Sequence, residues 1–305
     1  MLNKILPEYL ARIIADKLNY EKVYELRVRA GRPILVNYGG RYLHLTEEGV
    51  TPGTNGAITA DRKLLDLIVF KATEYSVYAA NEQIKNGFIT VTGGVRIGLA
   101  GELVAEGGVI KTQKNFCGLN IRVPHEVKNC ALNCFQHLVN KDIFNTLVIS
   151  PPGGGKTTFV RDFARQLGSL TLPINILVID ERGEIAACLN GVPQLDVGRY
   201  TDVLTNCTKA YGFSVGIRTL RPDVIITDEL ATPEDVEAAA YAVGCGVKVI
   251  ATTHAFDHLE LAAKPALAAV AKQKVFDRFV VLSFRQGPGT HEGVYDGAGN
   301  RLYFP

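Results

Sequence analysis

The chain has 305 residues, enough for two domains at roughly 100–200 residues each. With 47% hydrophobic and 21% charged residues it can build a full apolar core, so neither a disulfide nor a metal is needed to hold the fold. Its 33 basic and 31 acidic residues leave a net charge of +2, without the basic excess of a phosphate-tracking surface, so no nucleic-acid partner is expected.

In chain order, residues 7–18 place Leu10, Ile13 and Ile14 on one face and pair Glu8 with Arg12, which predicts an amphipathic helix opening at Pro7. Residues 25–45 alternate around Gly31 and Gly39-Gly40 and read as strands joined by tight turns. A helix is expected over 61–80. Glycine-punctuated strands follow over 86–110, with Gly98 and Gly101 among the expected turns. These segments predict a small α+β domain over residues 1–125, closed by a linker at Arg122–Pro124.

From 126 to 305 the pattern becomes strand–helix alternation, the signature of a parallel α/β sheet. Apolar runs at 146–149, 176–179, 224–227, 247–251 and 279–282 are the strands. Helices are expected at 156–167, 199–212, 233–243 and 258–273, and a terminal hairpin around Gly297 and Gly299. The six cysteines are scattered with no CxxC pair, as for reduced thiols in a cytosolic protein. No apolar run approaches the ~20 residues that span a bilayer, and no signal-peptide core opens the chain.

The strongest signal is the run Ser150-Pro-Pro-Gly-Gly-Gly-Lys-Thr-Thr158, placed between a strand and a helix. Gly153, Gly154 and Gly155 let main-chain N–H groups approach a triphosphate closely, with Pro152 leading into them. Lys156 sets a cation against the β- and γ-phosphates, Thr157 offers a hydroxyl to Mg²⁺, and Thr158 continues the helix N-terminus that faces the anion. Ser150 stands where the usual pattern has glycine, a position that serves the turn.

The run VIITDE (224–229) matches a Walker B strand: Asp228 would hold Mg²⁺, partly through water, and Glu229 would activate the attacking water. Asp180-Glu181-Arg182 and Thr252-Thr253-His254 end two further strands and converge on the same edge of the sheet. Thr253 or His254 would sense the γ-phosphate. Of the arginines Arg122, Arg182, Arg199, Arg218 and Arg221, the favoured charge-neutralising groups are Arg218 and Arg122. Together these residues predict a RecA-like P-loop domain that binds ATP with Mg²⁺.

The segments GIRTLRPDVIITDELATPEDVEAAAYAVGCGVKVIATTHA (216–255), DERGEIA and ELRVRAGRPILVNYGGRYLHL resemble the secretion and pilus-retraction motor ATPases. Within that group the chain is similar, over nearly its whole length, to the stage III sporulation AA family of spore-forming bacteria. The resemblance implies a cytoplasmic ATPase of the channel joining mother cell and forespore, peripheral to the membrane and working as a hexameric ring. Secretion ATPases commonly have Gly-Glu where this chain has Asp228-Glu229, and their catalytic glutamate lies in the acidic box after the second strand. The general base therefore stays open between Glu229 and Glu181. A nucleic-acid-dependent RecA-like ATPase is the competing class, disfavoured by the balanced charge and the lack of a base-stacking motif.

Overall fold

A computed structural model describes residues 1–76, 80–263 and 274–303. The chain divides into two compact units, Met1–His125 and Glu126–Pro305.

The first unit opens with α1 (Glu8–Lys17), whose Leu10 and Ile14 are buried and whose first residue follows Pro7. Seven antiparallel strands make its sheet, among them β1 (Val23–Arg29), with β2 (Arg32–Pro33) lying apart from that sheet. The next strands are β3 (Leu35–Tyr38), β4 (Arg41–Thr46) and β5 (Gly49–Thr51), and β6 (Thr59–Ala60) pairs with β2. Gly39 and Gly40 both have positive φ (60° and 86°) between the paired Tyr38 and Arg41, which lets a two-residue turn match the strand twist. Helices α2 (Arg62–Ala72) and α3 (Asn81–Lys85) then precede β7 (Phe88–Val91), β8 (Val95–Glu106) and β9 (Val109–Arg122). The sheet order is β5-β4-β3-β1-β9-β8-β7.

Three expectations change here. The helix expected over 61–80 stops at Ala72, because Glu74 and Tyr75 take left-handed backbone (φ 51° and 66°) that ends it. Residues 77–79 of that stretch lie outside the described residues. Gly98 and Gly101 are not turns but members of β8. Gly101 sits at a bulge where a Cβ would lie 2.6 Å from the Lys114 carbonyl oxygen, so glycine marks a close approach of two strands. Arg122 does not lie in a linker: it ends β9, in register with Glu25 and Arg96.

The second unit begins with α4 (Leu132–Leu138), then β10 (Thr146–Ser150), α5 (Lys156–Leu167) and β11 (Ile176–Asp180). It continues through β12 (Thr201–Thr205), α6 (Lys209–Thr219), β13 (Val224–Glu229), α7 (Pro233–Gly244) and β14 (Lys248–His254). The antiparallel run β15 (Arg278–Ser283), β16 (Thr290–Asp296) and β17 (Arg301–Tyr303) closes it. The order is β12-β11-β13-β14-β10-β15-β16-β17, and the first six strands are parallel. β10, β11, β13 and β14 are buried over nearly their whole length, as strands covered on both faces must be. This is the RecA-like α/β arrangement, with β10 in the interior and its loop at the carboxyl edge.

Residues 199–212, expected as one helix, instead form β12 and the first turn of α6. Thr201, Val203 and Thr205 suit an edge strand, and the helix starts only where the Thr208 side chain caps the Tyr211 N–H. Of the helix expected at 258–273, Glu260–Ala263 is a 3₁₀ turn and 264–273 lie outside the described residues. The terminal hairpin is present as β16 and β17. All six cysteines are free, and burial pushes Cys130 and Cys134 up to about 12, so neither supplies a thiolate at neutral pH.

Candidate functional site

The site is built where β10 ends and α5 begins. Gly153 and Gly155 have positive φ (76° and 92°), whereas Gly154 does not. Its lack of a side chain makes room for the Ser150 hydroxyl, against which a Cβ would collide. Gly155 caps α5, so the first N–H groups of a twelve-residue helix point into the loop.

The loop rests on a neighbour the sequence did not announce. Phe284 lies against Gly153, the Gly289 N–H donates to the Gly154 carbonyl (3.1 Å), and a Cβ on Gly155 would stand 2.9 Å from the Gly289 Cα. The β15–β16 connection is thus a floor under the loop. Gly155→Ala meets both a forbidden φ and this backbone contact. It should lower stability by about 2–4 kcal/mol, measured by urea unfolding of the purified protein.

Lys156 is buried at 6% exposure and its ammonium donates to the Ser150 carbonyl (3.0 Å), the Ser150 hydroxyl (3.2 Å), the Pro151 carbonyl (3.2 Å) and His254 Nδ1 (2.7 Å). None of these partners carries a negative charge, and burial pulls its pKa down to about 8 against the opposing pull of Glu229. The Nε2 atom of His254 lies 3.6 Å from a Glu229 carboxylate oxygen, so the ring stands between Lys156 and Glu229. Register places Ser150 beside His254 on adjacent parallel strands, which is why β10 and β14 deliver these two side chains to one point.

The acidic strand ends separate into distinct roles. Asp180 is fully buried and accepts from the N–H groups of Glu184 (2.8 Å), Ile185 (3.0 Å) and Ala186 (2.8 Å). Arg161 of α5 binds the Glu184 and Ile185 carbonyls from the other side, so this turn is clamped at both its donors and its acceptors. Glu181 points instead to Lys209, at 2.5 Å. Asp228, at 5% exposure, has Oδ1 3.2 Å from the same ammonium, close enough for an ion pair but without the alignment of a hydrogen bond. Burial raises its pKa to about 6 against the opposing pull of Lys209. Glu229 is paired with neither: its carboxylate lies 3.4 Å from Arg182 and faces His254.

Thr157 stands half-buried in the first turn of α5, and Thr158 follows it. Thr253 is buried and gives its hydroxyl to the Leu230 carbonyl (3.2 Å), so of the two candidate sensors only His254 reaches the loop. Arg218 is exposed in the last turn of α6, bonded to the Ser214 carbonyl. It precedes the start of β13 and so lies at the sheet edge opposite the loop. Arg122 belongs to the first unit. Arg182, which no pattern set apart from its neighbours, bonds the Glu229 carboxylate at 3.4 Å. Lys209 carries no local signal, since a lysine at a helix start belongs to no pattern.

Among the described residues, no three His, Cys, Asp or Glu side chains form a metal cage. A hard cation held by one hydroxyl, one carboxylate, phosphate oxygens and water needs none, and the Asp228 carboxylate, ion-paired with Lys209 but without an aligned hydrogen bond to Oδ1, fits Mg²⁺ in that mode.

The sequence profile described as "Sporulation stage III, protein AA" matches residues 1–302. The chain belongs to this sporulation stage III AA family. A member, stage III sporulation protein AA of Bacillus subtilis (strain 168), is 34% identical over 305 residues, covering 98% of this chain and 95% of that protein. Among solved structures, the Legionella pneumophila ATPase DotB superposes with a TM-score of 0.60 at 15% identity, covering 91% of this chain and 76% of that one. The pilus retraction motor PilT with bound ADP gives 0.57 at 17% identity, covering 91% and 77%. At these identities the likeness shows the fold alone.

Proposed function

We propose that this chain is an ATP-hydrolysing motor that serves a secretion-type channel in endospore formation. One observation carries the reading. Lys156 is a buried cation at a helix N-terminus whose hydrogen-bond partners carry no negative charge, so a phosphate entering the loop would meet an ammonium-and-N–H site built for an anion.

In this reading the ATP phosphates lie in the loop from Pro152 to Thr158, with Lys156 leaving its carbonyl partners for the β- and γ-phosphates. Thr157 and Asp228 would hold Mg²⁺, whose charge would be supplied to the phosphate oxygens. Glu229 takes the proton of the attacking water, because Glu181 is held at 2.5 Å by the buried Lys209 while the looser contacts of Glu229, to Arg182 at 3.4 Å and His254 at 3.6 Å, set it beside the partner of Lys156. His254 links Glu229 to Lys156, and so connects the state of the phosphates to the state of the base.

The family and the fold support work at the cytoplasmic face of a membrane complex in the mother cell. Among the described residues no helix is long and apolar enough to cross a membrane; in this reading partner proteins provide the attachment. A homo-oligomer, a hexamer in this reading, would bring Arg218 or Arg122 of one subunit to the nucleotide of the next. Mixing wild-type protein with Glu229→Gln subunits should then depress Mg²⁺-dependent phosphate release below the value set by dilution. A strictly proportional loss, with a monomeric mass in ATP, would show that each chain works alone. Single-stranded DNA or RNA added to the same assay should not stimulate turnover.

A further inference from the structure

Lys209 is the most deeply enclosed cation of the carboxyl edge, at 4% exposure, and its position is electrostatically adverse. It is the first residue of α6, where the helix dipole repels positive charge, and its ammonium is taken out of water. What compensates is a pair of carboxylates from two different strands: Glu181 after β11 at 2.5 Å and Asp228 at the end of β13 at 3.2 Å. A lysine placed only for stability has easier positions. This one is spent on tying together the two acidic strand ends nearest the phosphate loop.

We propose that Lys209 is a positioning residue: its ammonium bridges Glu181 and Asp228 and so aims the Asp228 carboxylate at the metal of the bound nucleotide. The role rests on the reading above, in which Asp228 stands beside Mg²⁺. It places Lys209 in the outer shell of that ion, where partners of ligating carboxylates are worth about 10–100-fold in metal affinity. It also explains why Oδ1 of Asp228 meets Lys209 without a hydrogen bond's alignment: the pair fixes the carboxylate and leaves lone pairs for the ion.

The test is equilibrium binding of a fluorescent ATP analogue to the full chain, in Mg²⁺ and in EDTA. The quantity read is the ratio of the two affinities. Lys209→Met should leave the EDTA affinity within about twofold of wild type and shrink the Mg²⁺ enhancement by about tenfold or more. Lys209→Arg, which keeps the charge, should restore most of it. Glu181→Gln removes one arm of the bridge while Lys209 keeps Asp228, so it should fold even where Lys209→Met does not. It should give an intermediate loss of the Mg²⁺ enhancement.

A folded Lys209→Met protein, or Glu181→Gln, with the full wild-type enhancement would overturn the proposal while leaving the ATP site intact. Wild-type protein that binds the analogue equally in Mg²⁺ and EDTA, or not at all, would instead remove the metal or the nucleotide from the site. The role of Lys209 would fall with it.

Discussion

Lys156→Met should abolish measurable ATP binding and at the same time make the nucleotide-free protein more stable. Both effects come from one fact, that the ammonium is buried against neutral acceptors and its pKa lies at about 8 rather than 10.5. A depression of that size corresponds to about 3 kcal/mol held against the fold when the lysine is charged. Lost bonds to Ser150 and Pro151 offset part of it, so a net gain of about 1–2 kcal/mol is expected at pH 7.

The sign follows from linkage. The folded state binds the proton more weakly than the unfolded chain, so the penalty is fully present below pH 8. It disappears as pH rises from 8 to 10.5, and the advantage of the methionine variant should vanish over the same range. Wild-type ATP affinity should fall as pH rises through about 8, because only the ammonium form meets the phosphates. Calorimetric titration together with urea melts across pH 7–10.5 measures both halves. Unchanged affinity in Lys156→Met would remove the loop from nucleotide binding.

Glu229→Gln should retain ATP binding while hydrolysis drops by roughly 10²–10⁴-fold, the loss expected of a missing general base. Glu181→Gln should be milder, about tenfold, since Glu181 acts through Lys209 and Asp228 rather than on water. Single-turnover phosphate release at saturating Mg·ATP separates the two. Reversed severities would make Glu181 the base and leave Glu229 as the anchor of Arg182 and His254.

The phosphate loop, the Walker B strand and the parallel alternation of residues 126–305 were legible in the sequence because each is local. A loop that wraps phosphate needs its glycines and lysine consecutive in the chain, and a buried parallel strand needs an unbroken apolar run such as ILVI or VIIT. The edge strand β12 was misread for the complementary reason. Half-covered and polar, it has no run to announce it, and its neighbour in space is β11, more than twenty residues earlier.

Local pattern likewise gave Asp180 and Glu181 the same standing, as two adjacent acids after a strand. The tertiary structure separated them, because successive side chains at a strand end point in opposite directions. One meets the N–H groups of its own turn and the other meets a lysine that opens α6, after β12 in the chain. The partners of these residues are long-range: His254 with Lys156, Lys209 with Glu181 and Asp228, Gly289 with Gly154. By itself the sequence determined which chemical groups this protein carries to the edge of its sheet. Which of them face one another was decided only when sheet order and register brought separate segments together.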